Sequence, residues 1–171
     1  VVVAHAGFDS LFDRTLVLTG VRGKKTESVV TNLLQALGCS GRQAARRRRV
    51  QAAILFPISS EEFTYPWGHP QFGPDNEKIC EYLRGRWGEG CVPGNNGKQR
   101  NETTRQGRLN LAELITLQFA EVGVPVESIS LLRTADVCDH LVHSDKTPMW
   151  YTTRRKLAPD RRNLILVQRL K

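Results

Sequence analysis

Leu109-Asn110-Leu111-Ala112-Glu113-Leu114-Ile115-Thr116-Leu117-Gln118-Phe119-Ala120-Glu121-Val122-Gly123-Val124-Pro125 is the stretch on which the fold assignment turns. Asn110, with Glu113 three residues on, approximates a capping box in which Asn replaces the usual Ser or Thr. Leu111, Leu114, Ile115, Phe119 and Val122 recur on one face of a 3.6-residue period, so the spacing predicts a helix with a buried stripe. Gly123 and Pro125 end it. A strand is expected next, over 128–134.

Working back along the chain, a second helix is expected over 26–37. Val29, Val30, Leu33, Leu34 and Leu37 form its core face, Thr26 its cap and Gly38 its left-handed stop. The apolar run 50–57 reads as a buried strand. The opening run Val1-Val2-Val3 reads as another, over 1–5, delivering His5 at its mouth. Gly7 then turns the backbone into a loop of Phe8, Asp9 and Ser10. Residues 56–74, rich in Pro, Gly and aromatics, are expected to form an ordered loop. Asp75 is expected to cap a short helix that runs to about Arg84 and buries Ile79, Tyr82 and Leu83. The glycine-rich segment 85–107 reads as a mobile connection, and further strands are expected at 148–153 and 163–169. Helices and strands alternate without the rhythm of a doubly wound parallel sheet. The expected class is therefore α+β, with mixed β-sheets flanked by helices in a single domain over 1–171.

Composition narrows the partners. Forty per cent hydrophobic residues can fill a core. No apolar run approaches the roughly 20 residues that cross a bilayer, so no membrane role is expected. Residues 1–4 are too short for a signal peptide, and a cytoplasmic location is expected. The net charge of +8 is concentrated in Arg42 with Arg46-Arg47-Arg48-Arg49, in Arg154-Arg155-Lys156 and in Arg161-Arg162. Such a surface attracts nucleic acid or phosphorylated small molecules by Coulombic steering. No aromatic interleaves the run 46–49 to stack on bases, which makes a solvated loop the plainer account there. Cys39, Cys80, Cys91 and Cys138 show no CxxC pair and read as reduced thiols.

Two ends of the chain together resemble one family. Val3-Ala4-His5-Ala6-Gly7 is similar to the His-Ala-Gly-Trp-Arg-Gly motif of the laccase-domain proteins, once called multicopper polyphenol oxidoreductases. The later block runs from Leu109-Asn110-Leu111-Ala112 through Gln118, Gly123-Val124 and Ile129 to Trp150-Tyr151-Thr152-Thr153-Arg154-Arg155. It is similar to that family's Asp-Leu-Ala helix start, Gln-Leu and Gly-Val helix end, and Phe-Phe-Ser-Tyr-Arg-Arg strand. The closing Arg162-Asn163-Leu164-Ile165-Leu166-Val167 resembles the last strand, and Ala52-Ala53-Ile54-Leu55-Phe56-Pro57-Ile58 occupies the place of an Ile-Gly-Pro segment.

The resemblance implies a laccase-domain fold, incomplete at the N-terminus, and zinc-dependent purine-nucleoside chemistry: phosphorolysis of the glycosidic bond and deamination of adenosine. It also implies a zinc site of two histidines and a cysteine. Two of those ligands would precede Val1, leaving His5 as the one carried here. The motif departs at three positions: Phe8 keeps an aromatic where the family has Trp, Asp9 reverses the charge of an Arg, and Ser10 replaces a Gly. No cysteine stands near Ile58. Phenol oxidation by a multicopper site is excluded, since about ten histidine ligands are needed and the chain has four.

Each candidate has a plainer account beside it. His5 suits zinc because neutral imidazole at a strand end offers a fixed lone pair. A lone histidine is also often just hydrogen-bonded there. Cys138, His140 and His143, with acidic neighbours, form a second possible metal cluster or simply a polar loop beside a buried cysteine. Along the Trp150-Tyr151 strand, alternation sends Arg154 and Arg155 to opposite faces, so one could hold phosphate in a bidentate fork while the other is solvated. The alternative to an enzyme is a non-catalytic basic binding module on the same scaffold.

Overall fold

A computed structural model of the chain describes residues 2–4, 6, 8–23, 28–39, 50–55, 64–66, 70–93 and 106–132. They build a mixed helix-and-strand fold. The described helices are α1 (Arg14–Thr19), α2 (Val29–Ala36), α3 (Gly73–Trp87) and α4 (Leu111–Glu121). The described strands are β1 (Ala52–Leu55), β2 (Thr64–Pro66), β3 (Gln106–Arg108) and β4 (Ile129–Leu132), with short 3-10 turns at Phe8–Ser10 and Val126–Ser128.

The helix read first forms as its caps dictate. The Glu113 N–H donates to the Asn110 side chain at 3.1 Å, satisfying an amide that the helix itself cannot pair. Leu111, Leu114, Ile115 and Phe119 are buried. Gly123 takes φ 94, open to glycine and strained for other residues, and the Val124 N–H returns to the Phe119 carbonyl at 3.0 Å. The chain then enters β4, which lies parallel to β1, from Ala52 opposite Ile129 to Leu55 opposite Leu132. A parallel pair needs a long crossover. Helix α4 belongs to that crossover and packs on both strands. β2 and β3 pair antiparallel, Thr64 opposite Arg108 and Pro66 opposite Gln106.

Several expectations are corrected. Of the strand expected over 1–5, the described residues 2–4 lie in no strand, with Val2 and Val3 39% and 58% exposed, while Val1 and His5 lie outside the described residues. The buried apolar anchors at this end are instead Leu11 and Phe12. They are followed by α1, a helix the apolar pattern did not suggest. Its signals are a cap and a stop: Asp13 accepts from the Leu16 N–H at 3.1 Å, and Gly20 closes the helix at φ 73. Helix α2 starts at Val29, because Ser28 caps it by accepting from the Thr31 N–H. Residues 24–27, Thr26 among them, lie outside the described residues. Gly38 takes the expected left-handed φ of 67.

Helix α3 outruns its expected limits at both ends. Pro74 fits the first turn, where its missing N–H costs nothing. Asp75 thus lies inside the helix, near its positive end, and is not the cap. Gly85 does not stop the helix; Gly88, at φ 88, does. Ile79, Cys80 and Leu83 are fully buried, and Tyr82 only partly. Of the segment 85–107 expected as a mobile connection, the described residues hold the last turn of α3, the buried Cys91 and Val92, and the first two residues of β3, while residues 94–105 lie outside the described residues. The expected loop 56–74 contains β2 and the start of α3. In β1, Ile54 is buried while Ala53 is exposed, so this strand covers the core with one face. The strands expected at 148–153 and 163–169, and residues 133–134 beyond β4, lie outside the described residues. No helix among the described residues is long and apolar enough to cross a membrane.

Asp13 does a second job: its other oxygen accepts the Gly23 N–H at 2.8 Å, tying the exit of α1 back to its start. Asp13→Ala is expected to cost about 1–2 kcal/mol, read as a lower urea midpoint. An unchanged midpoint would show that neither bond matters in water.

Candidate functional site

Of the candidate site residues, Phe8 is the one placed. It opens the 3-10 turn Phe8–Ser10, half-buried against the core. Its ring meets Phe12 edge-on, with centroids 4.9 Å apart and planes at 66°. That is a favoured arrangement for aromatic quadrupoles. The Leu11 N–H donates to the Phe8 carbonyl at 3.0 Å and closes the turn. The Leu11 carbonyl accepts from the Gln118 Nε2 on α4, a residue 107 positions away.

Sequence reasoning gave Gln118 no structural role, although its signal is visible. Gln118 falls in the stripe of Leu111, Leu114, Ile115, Phe119 and Val122, a polar residue at a core position. It is 4% exposed, and its Oε1 has no hydrogen-bond partner among the described residues. Asp9, where the family motif has a positive charge, pairs with Arg14 at 3.3 Å on the surface. Such exposed pairs contribute little stability.

His5, Cys138, His140, His143, Arg154 and Arg155 lie outside the described residues. Among the described residues no group of three or more His, Cys, Asp or Glu could hold a metal ion. Cys39, Cys80 and Cys91 are buried. Burial, and then the nearby Glu113 carboxylate, push the Cys91 thiol up from 9.0 to about 12. A folded state that holds this proton gains stability below the unfolded pKa of about 9, and loses it as the pH rises through about 12. Iodoacetamide at pH 8 is therefore expected to spare Cys91 in the native protein and to alkylate it once urea unfolds the chain. Rapid native labelling of Cys91 would contradict that environment.

The charge is unevenly spread. The described residues hold Asp9, Asp13, Asp75, Glu77, Glu81, Glu89, Glu113, Glu121 and Glu127 against Arg14, Arg22, Lys78, Arg84, Arg86 and Arg108. Three of these cations are paired: Arg14 with Asp9, Arg84 with Glu89 and Arg86 with Glu121. The chain's net charge of +8 is thus carried by the other residues, the arginine run 46–49 among them.

Compared with models of known families, with curated proteins and with solved structures, the chain matches none.

Proposed function

We propose that this chain is a divergent laccase-domain protein working on purine nucleosides, by phosphorolysis of the glycosidic bond with adenosine deamination beside it. One observation supports the reading: the Gln118–Leu11 hydrogen bond brings the later block of the resemblance against the segment four residues beyond the first. It ties the segment after the His-Ala-Gly motif to the helix that opens the later block. On this reading the architecture is the laccase-domain fold and the location cytoplasmic, where thiols stay reduced. Phe8 faces the base, and one of Arg154 and Arg155 holds phosphate. A bidentate guanidinium fork matches the phosphate oxygens, and the bound dianion's field stabilises positive charge developing on the ribose. Zinc, held by His5 with further ligands, would supply an activated water for deamination and would orient and polarise the phosphate for phosphorolysis.

The test is chromatography of inosine and adenosine incubated with the protein as encoded, phosphate and zinc. Free base from inosine is expected. Of Arg154→Ala and Arg155→Ala, one is expected to raise the KM for phosphate by about tenfold or more, the worth of a lost charged hydrogen bond. The other leaves it unchanged. If neither moves it, the phosphate role is wrong.

A second reading is favoured by the charge distribution: a non-catalytic basic module that binds nucleic acid or a phosphorylated ligand through segments outside the acidic described core. It predicts salt-dependent retention on RNA or DNA, weakened when Arg46, Arg47, Arg48 and Arg49 are changed to Gln. Retention indifferent to salt and to those changes would exclude it.

A further inference from the structure

We propose that Gln118 is the positioning residue for Phe8, holding that ring where a purine base stacks on it. This rests on the nucleoside reading above. The argument starts from cost. A glutamine in an apolar stripe, 4% exposed and with its Oε1 unpartnered among the described residues, is a worse core residue than Leu or Met. Departures of this kind from consistent packing are concentrated at functional sites.

What the carboxamide holds is specific. Its Nε2 donates to the Leu11 carbonyl. The Leu11 N–H in turn closes the turn onto the Phe8 carbonyl, and the ring of the next residue, Phe12, packs against that of Phe8 in a T-shaped pair. Leu11 and Phe12 are both buried, so the pin and the core together fix the segment that carries Phe8, itself half-buried against the core. One side chain on α4 thereby sets the place of an aromatic face far away in sequence. The ligand class that such a face takes is a planar base, bound by stacking.

The experiment measures inosine affinity by calorimetry, and amide exchange at Leu11, in the full chain. Gln118→Met keeps the volume, removes the donor and removes the orphaned oxygen. It is expected to weaken inosine binding about tenfold and to speed Leu11 exchange about tenfold, while exchange within α4 stays as it was. In a Phe8→Ala background the same substitution is expected to add almost nothing, since the two residues act as a unit. Gln118→Asn, which keeps the donor but shortens its reach, is expected to behave like Gln118→Met and serves if that variant does not fold. An equal loss of affinity with and without Phe8 overturns the positioning role. Unchanged Leu11 exchange overturns the pin itself. No inosine binding by the unsubstituted chain overturns the nucleoside reading and the ligand named here, and it does so whatever Leu11 exchange shows.

Discussion

Leu83→Ala is expected to remove about 2–5 kcal/mol of stability, out of a total on the order of 5–15 kcal/mol for a domain of this kind. Leu83 is 0% exposed and lies on the face of α3 that also buries Ile79 and Cys80. That helix packs on α1 and on β2, so its inner face is closed by separate elements. Truncating the side chain leaves a void that such a braced site fills poorly. Both the lost transfer energy and the cavity then count against the fold. The measurement is a urea titration followed by circular dichroism. A midpoint shift worth under about 1 kcal/mol would mean that this face is not the central core.

What could be read from the chain beforehand depended on how local the determining physics is. Helix α4 was legible because periodicity, the Asn110 cap and the Gly123 stop all agree within one short stretch. Helix α3 was legible in its core residues but not in its ends. Gly85 looks like a stop in isolation, yet the residues on either side of it continue the helix to Trp87. Helix α1 has no apolar stripe long enough to announce it, so its evidence lay in Asp13 and Gly20 alone. Val2 and Val3 misled for the opposite reason. Three adjacent β-branched residues suit a strand, but a strand also needs a neighbour to pair with, and that is a long-range matter. The pairing of β1 with β4 is long-range in the same way. Of the candidate site, Phe8 was named from its place in a motif. Gln118 stood in plain view as a polar residue at a core position, but only the fold shows that it reaches Leu11.

The second large effect falls on activity. On the nucleoside reading, His5→Ala is expected to lower turnover by at least about a hundredfold, because a catalytic zinc site would depend on each of its three protein ligands. Measured with zinc removed, the same substitution is expected to leave stability within about 0.5 kcal/mol, since the role proposed for His5 is metal binding and not packing. Val3 and Ala4, immediately before it, are exposed. This split between lost turnover and retained fold separates a ligand from a histidine that is merely hydrogen-bonded at a chain turn. Removal of zinc with a chelator should reproduce the loss in the unsubstituted protein, and restoring zinc should reverse it there but not in His5→Ala.

The most direct measurement is a time course of free hypoxanthine formed from inosine in phosphate buffer with zinc, run beside a phosphate-free control. The nucleoside reading predicts steady release that needs phosphate and falls to background in His5→Ala. Release at one rate with and without phosphate and His5, or no hypoxanthine at all, contradicts it.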